Sequence, residues 1–171
     1  MTSGEIVQPV PVALREPAHQ VSPRAVPYWR VSAGITAAVV TVPLVVVAIV
    51  WSDRPWWFLV PAGVVVALLL GWTAVMPSVR YRIHRWEVTD DAIHTRSGWL
   101  TVDERVAPLS RVQTVDSSQG PLQRAFGLRS LTVTTASAAG PITIECLDVG
   151  TAQQLVADLT AITGASQDDA T

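Results

Sequence analysis

Ser110–Ala138 reads "SRVQTVDSSQGPLQRAFGLRSLTVTTASA". It gathers Arg, Gln, Asp and Ser in a short space and then breaks at Gly120–Pro121. Such a stretch carries a reaction, binds something, or turns the chain. Val112 and Val115 mark a strand. Pro121 must stop it, because proline donates no ladder hydrogen bond. "PLQRAFGL" then offers Leu122, Phe126 and Leu128 for burial, and Gly127 is suited to φ > 0 at the end of a single helical turn. "LTVTTA" (131–136) alternates as a second strand. Arg111, Gln113, Asp116, Gln119 and Arg124 would tie this crossing to its neighbours by hydrogen bonds, charge-assisted where Arg or Asp takes part.

The flanks extend the pattern. "ITIECL" (142–147) alternates after a turn at 138–140, with Cys146 on the face of Ile142 and Ile144 as a buried small hydrophobe. The period then changes, and Val149, Ala152, Leu155, Val156, Leu159 and Ile162 form one helical stripe. Thr151 and Gln154 have capping-box spacing. Gly164 is expected to end this helix, leaving 164–171 as a disordered polar tail. Upstream, "YRIH" and "WEV" alternate out of phase, which predicts a bulge near Arg85. "TDDA" (89–92) reads as a turn. "AIHTRSGWLTVDERVAP" reads as a hairpin turning near Gly98, with Leu100, Val102 and Val106 on one face. Residues 80–163 are therefore expected to form a small antiparallel β domain of six or seven short strands, closed by one amphipathic helix.

The first half of the chain is of another kind. Charged residues make up only 15% of the sequence, against about 25% in soluble domains. Mean hydropathy is +0.34, which points to a membrane-embedded part. Residues 31–51 hold no charge and include eight Val, two Ile and one Leu. These favour insertion by roughly 3 to 6 kcal/mol before polar costs. Residues 56–79 form a second uncharged run, and Asp53 and Arg54 mark the short loop between them. The pair predicts a two-helix transmembrane hairpin over 30–79, with Pro43 inside the first span. Tyr28, Trp29, Trp51, Trp56 and Trp57 occupy aromatic-belt positions. Arg15, Arg24 and Arg30 precede the hairpin and Arg80, Arg82 and Arg85 come after it, so both termini are expected in the cytoplasm of a multi-pass cell-membrane protein. Residues 1–29 hold five of the 12 prolines and read as a disordered tail that lacks a signal-peptide pattern.

Composition and spacing narrow the function classes. Net charge is −2, and residues 86–171 hold five Arg against 11 Asp or Glu, so a nucleic-acid partner and a broad basic lipid-binding face are not expected. The Arg80, Arg82, Arg85 group sets topology and is a candidate contact for anionic lipid heads, worth about 1 kcal/mol per Arg near the surface. His19 sits in the tail and His84 and His94 fall on separate strands as solvated or turn residues, without ligand spacing, so no metal site is expected. Ser117 or Ser118 with His84 and Asp116 would be a hydrolase set, but no nucleophile elbow is present and the serines read as turn formers. No cofactor motif occurs. Neither span holds an ionisable residue, which disfavours transport and proton relay. Gly63, Ala67 and Gly71 form a small-xxx-small row, answered by Ala33, Ala37 and Thr41. Close packing inside the hairpin is the first reading of it, and association with another membrane protein the second.

The longer motif S-R-V-Q-x-V-D followed by Q-G-P-L-Q-R-x-F-G-L, with "ITIECL" and the "AQQLVADL" helix after it, resembles the bacterial pleckstrin-homology-like (PH) domains. The order of hairpin and domain looks most like the YdbS/YdbT-type membrane proteins, over residues 28 to 162. The resemblance implies a PH-like split barrel of about seven antiparallel strands capped by a C-terminal helix. It implies a binding or assembly module and not an enzyme. It also makes Arg111, Gln113, Asp116, Gln119, Gly120, Pro121, Leu122, Arg124, Phe126 and Gly127 motif residues of structural kind. The expected partners are the bilayer and another membrane protein or further copies of the chain.

Overall fold

A computed structural model describes residues 15–50, 56–136 and 140–168. Trp51, the expected loop at 52–55, most of the 138–140 turn, and the outer parts of both tails (1–14 and 169–171) lie outside the described residues. Helix α1 spans Ala25–Val50 and α2 spans Val60–Ile83, entered through a 3-10 turn at Trp56–Leu59. At 1.5 Å per residue each is roughly 36 to 39 Å long, enough to cross a bilayer. Both are apolar enough to do so, and their Val, Ile and Leu side chains are largely bare. The two helices pack against each other.

Both ends of the hairpin differ from expectation. α1 begins at Ala25, inside the stretch read as tail. α2 runs on through Arg80 and Arg82 to Ile83, so the first three residues of "YRIH" are helix and not strand, and His84 caps them. Nothing at the bilayer surface obliges a helix to stop, and Arg80 and Arg82 suit its last turn because cations complement the carbonyl end of the helix. The His84 backbone N–H donates to the Arg80 carbonyl at 2.9 Å and ends the helix.

The sheet domain begins at once. Strands β2 (Arg85–Val88), β3 (Ala92–Gly98) and β4 (Val102–Pro108) form an antiparallel meander. The β2–β3 turn is the expected "TDDA", held by the Thr89 hydroxyl and backbone on Ala92. Strand β1 (His19–Gln20) adds to β2, giving a four-stranded sheet in the order β1-β2-β3-β4. A 3-10 turn (Leu109–Arg111) leads into β5 (Val112–Ser118), then the short helix α3 (Pro121–Ala125), β6 (Leu128–Thr135) and β7 (Ile142–Asp148). These strands form a second, three-stranded sheet in the order β5-β6-β7. Seven strands in two antiparallel sheets match the split-barrel expectation, although one strand comes from before the hairpin.

Helix α4 (Val149–Asp168) lies against β5, β6 and β7. Its stripe is buried as expected, with Ala152 and Leu159 fully covered and Leu155 nearly so. It starts two residues before Thr151, so Thr151 and Gln154 lie within it, and it passes Gly164 to Asp168. A helical glycine costs only about 1 kcal/mol and does not by itself end a helix.

The core joins both sheets. Ile93 of β3, Leu128, Leu131 and Val133 of β6, and Ile142, Ile144 and Leu147 of β7 are buried there. Ala25 and Trp29 from the first turns of α1 belong to the same cluster, and Trp29 is 3% exposed. Residues 15–24 are also bound to the domain. Arg15 pairs with Glu87, Glu16 pairs with Arg96, and the Ala18 N–H donates to Glu87. The Ser22 N–H donates to the Cys146 carbonyl at 3.0 Å.

Candidate functional site

Two clusters collect the polar residues singled out above. The first is where the hairpin meets the domain. Arg80, in the last turn of α2, donates to the Glu145 carboxylate of β7 at 2.6 Å. Its guanidinium lies 4.6 Å from the centroid of a Trp29 ring, a cation–π distance. It also donates to His84 Nε2 at 3.3 Å, while His84 Nδ1 donates to the Arg80 carbonyl at 2.9 Å. The His84 ring meets Trp29 edge-on, with centroids 5.1 Å apart. Burial, and then the Arg80 charge, push the His84 pKa down to about 4, against a smaller opposing effect of its bond to the Arg80 carbonyl. His84 is therefore neutral here, consistent with one ring nitrogen accepting and the other donating. The cluster ties α1, α2 and β7 together on the membrane side of the domain.

This alters the expected arginine group. Arg80 is spent on internal partners, and Arg85 lies 4.0 Å from Glu16. Arg82 is exposed. A half-open cleft of about 340 Å3 adjoins the cluster, lined by Arg80, His84, Ser97, Gly98, Asp103 and Glu145 among others. Its walls carry both signs of charge.

The second cluster is the crossing from Ser110 onward. Pro121 opens α3 and Gly127 takes φ 64°, as their backbone chemistry requires. Gln119 donates to the Leu128 carbonyl at 2.8 Å, across the crossing. Gln123, which the motif reading passed over, does more. Its Oε1 accepts the Gly120 N–H at 3.0 Å and its Nε2 donates to Ser130 Oγ at 2.9 Å. The G-x-x-Q spacing from Gly120 to Gln123 is the signal for it, since a residue three after the cap reaches back to the cap's N–H. Phe126 meets Tyr28 of α1 edge-on at 6.1 Å. Arg24, just before α1, lies against Gly127 and pairs with Asp148 at 3.6 Å. The crossing is thus the socket for the start of α1.

Its remaining polar residues are not part of that socket. Gln113, Asp116 and Arg124 are exposed, and Asp116 accepts from Thr114 Oγ1 at 3.3 Å. Arg111 contributes its carbonyl to the Ala136 N–H at 3.0 Å. Asp116 and His84 have separate partners on different elements, and no hydrogen bond joins them among the described residues.

His84 and His94 are not solvated as expected. His84 and His94 are 4% and 2% exposed. His94 pairs with Glu87 across β2–β3, and the segment bound to Glu87 covers the face they share. His19 lies in β1 with its ring stacked on Trp86, centroids 4.9 Å apart. Among the described residues no three His, Cys, Asp or Glu side chains gather as a metal site. Cys146 is 1% exposed, and burial pushes its thiol up to about 12, so it is not a thiolate at neutral pH.

The small-residue row also differs. Ala33 and Ala37 are buried, but Gly63, Ala67 and Gly71 are exposed. A Cβ added at Gly63 or Gly71 would meet nothing within 4 Å. The row on α2 therefore faces away from α1. Met76 and Pro77 are the buried residues of α2 instead.

The family model described as Bacterial PH domain matches residues 28–162. The chain is 31% identical over 160 residues to a Bacillus subtilis (strain 168) protein named UPF0699 transmembrane protein YdbS, covering 90% of this chain and 98% of that one. No solved structure matches.

Proposed function

The chain belongs to the bacterial PH domain family and is membrane-associated, and from that premise we propose that it is a non-enzymatic tether. Its two spans hold the PH-like domain at the cytoplasmic surface, with both termini in the cytoplasm, for binding a membrane-protein partner or further copies of itself. The setting is a membrane complex of envelope maintenance, stress resistance or export. The observation that carries this reading is the shared core, in which Ala25 and Trp29 of α1 pack among Ile93, Leu128 and Leu131. A domain built around the foot of its own anchor is held at the bilayer, and confinement raises its effective concentration for partners in the same plane. The outward row on α2 supports a partner within the membrane.

The lipid-sensing alternative draws on Arg80, Arg82 and Arg85. It is weakened because Arg80 and Arg85 face Glu145 and Glu16. The hydrolase alternative is weakened by the separate partners of His84 and Asp116. In-cell photo-crosslinking from positions 67 and 113, read by mass spectrometry, tests the tether. Discrete adducts with one membrane protein or with a second copy are expected. A chain that stays monomeric in the membrane and yields no adduct sinks the proposal.

A further inference from the structure

The large apolar side chains that stand bare among the described residues fall into two groups. Most lie on α1, α2 and the turn before α2. The rest, Trp99, Leu100, Val102 and Val106, all lie on the β3–β4 hairpin. Leu100 is 80% exposed, more than any bare apolar side chain of the two spans. The hairpin sequence predicts a shared face for Leu100, Val102 and Val106, and that face is turned outward.

The direction of the strands decides what this tip meets. The chain leaves α2 at Ile83 and enters β2 at Arg85. β3 is antiparallel to β2, so it returns toward the helix end. Arg85 pairs with Arg96, and β3 continues past that rung through Ser97 and Gly98. Ser97 and Gly98 share the cleft with Arg80, one turn back along α2. At about 3.4 Å per strand residue, Gly98 lies roughly 7 Å beyond the Arg85–Arg96 rung, and the turn that carries Trp99 and Leu100 stands past it. The turn is also tight. Gly98 has φ 123°, and a Cβ there would lie 1.9 Å from the Thr101 carbonyl oxygen. Residues 97–102, "SGWLTV", carry no charge, and tryptophan favours the bilayer interface.

We propose that the β3–β4 turn is a second membrane contact, in which Trp99 and Leu100 enter the bilayer surface beside α2 and fix the tilt of the domain. The contact is apolar and continuous with the surface that the spans already occupy. It does not depend on anionic lipid, nor on the partner of the tether.

The test uses the full chain in nanodiscs, with an environment-sensitive fluorophore on Leu100→Cys and, separately, on Trp99→Cys. Cys146 stays unlabelled because it is buried and its thiol is held up to about 12. Asp90→Cys, at the opposite end of β3, is the reference. Blue-shifted emission at 99 and 100, and about two-fold quenching by lipids bearing a shallow nitroxide, are expected, with neither at 90. The same quenching is expected in pure phosphatidylcholine and with added phosphatidylglycerol. Water-like emission at 99 and 100 overturns the proposal. So does a blue shift without lipid quenching, which would mean that protein covers the tip. Quenching that appears only with phosphatidylglycerol overturns it in favour of an electrostatic contact.

Discussion

Burial and the Arg80 guanidinium hold His84 near a pKa of about 4, while an unfolded histidine titrates near 6.5. Between these values the unfolded chain binds a proton that the folded one refuses. The His84 contribution is therefore complete above about pH 6.5 and is lost as pH falls toward 4, by on the order of 3 kcal/mol. His84→Gln should remove that part of the pH dependence, as followed by thermal melts of wild type and variant across pH 4 to 7. Identical pH profiles would show that His84 does not titrate in this way. A second residue-scale prediction concerns Gln123, whose two ends bond Gly120 and Ser130. Gln123→Ala should destabilise the domain by about 1 to 3 kcal/mol in denaturant titrations, because it leaves a half-buried bond unmade. Gln113→Ala, on an exposed side chain, should change stability by less than about 0.5 kcal/mol. At this scale Pro121 and Gly127 are legible in the sequence, because their constraint lies in their own backbone. Arg80 is not. Its partner Glu145 lies 65 positions away, and only the fold brings them together.

The elements carry the same contrast. The two spans, the β3–β4 turn, the α3 turn and the α4 stripe are all readable from local period or from a glycine or proline. Their ends are less so. "YRIH" alternates like a strand, yet it completes α2, since four residues of alternation weigh less than a helix already running. The spacing of Gly63, Ala67 and Gly71 announces a face but not what the face meets. The residues of α2 that are actually buried, Met76 and Pro77, lie beyond the row. Gly71→Leu should accordingly leave the melting temperature within about 2 °C, as the added side chain meets open space. It should reduce by several-fold any crosslinked species formed through α2. Loss of folded protein instead would mean that the row packs inside the hairpin. At the opposite extreme, Gly98→Ala places a methyl against the Thr101 carbonyl. It should unseat the β3–β4 turn, seen as faster amide exchange at residues 97–102 while β6 remains protected.

At the scale of the molecule, the sequence separates membrane from domain more cleanly than the fold does. Composition changes at Arg80, and the residue motifs of the PH-like resemblance lie beyond that point, although the family match begins at residue 28. What composition cannot convey is that the barrel borrows from upstream of the hairpin. β1, Ala25 and Trp29 precede the first uncharged run, yet they complete the first sheet and the core. Proline-rich polar sequence around 15–24 has no periodicity of its own, because its partners Glu87, Cys146 and Asp148 are supplied by the domain. Trp29→Ala should cost about 3 to 5 kcal/mol, the penalty of emptying a large aromatic site in a core. Chemical denaturation of the reconstituted protein, followed by protease resistance of the domain, measures it. If the domain is unmoved, hairpin and barrel are independent bodies.

On the proposed topology, the borrowed residues also couple the fold to membrane insertion. Trp29 and the barrel strands are separated in sequence by the whole hairpin, yet they share one core. They meet only when both spans have crossed, or neither has. A chain with one span inserted would strand Trp29 on the far side of about 30 Å of hydrocarbon. Its barrel would lack the strand at one sheet edge and the indole in its core, and it would be open to proteolysis. A chain with a single span inserted is thus the one that cannot complete its domain.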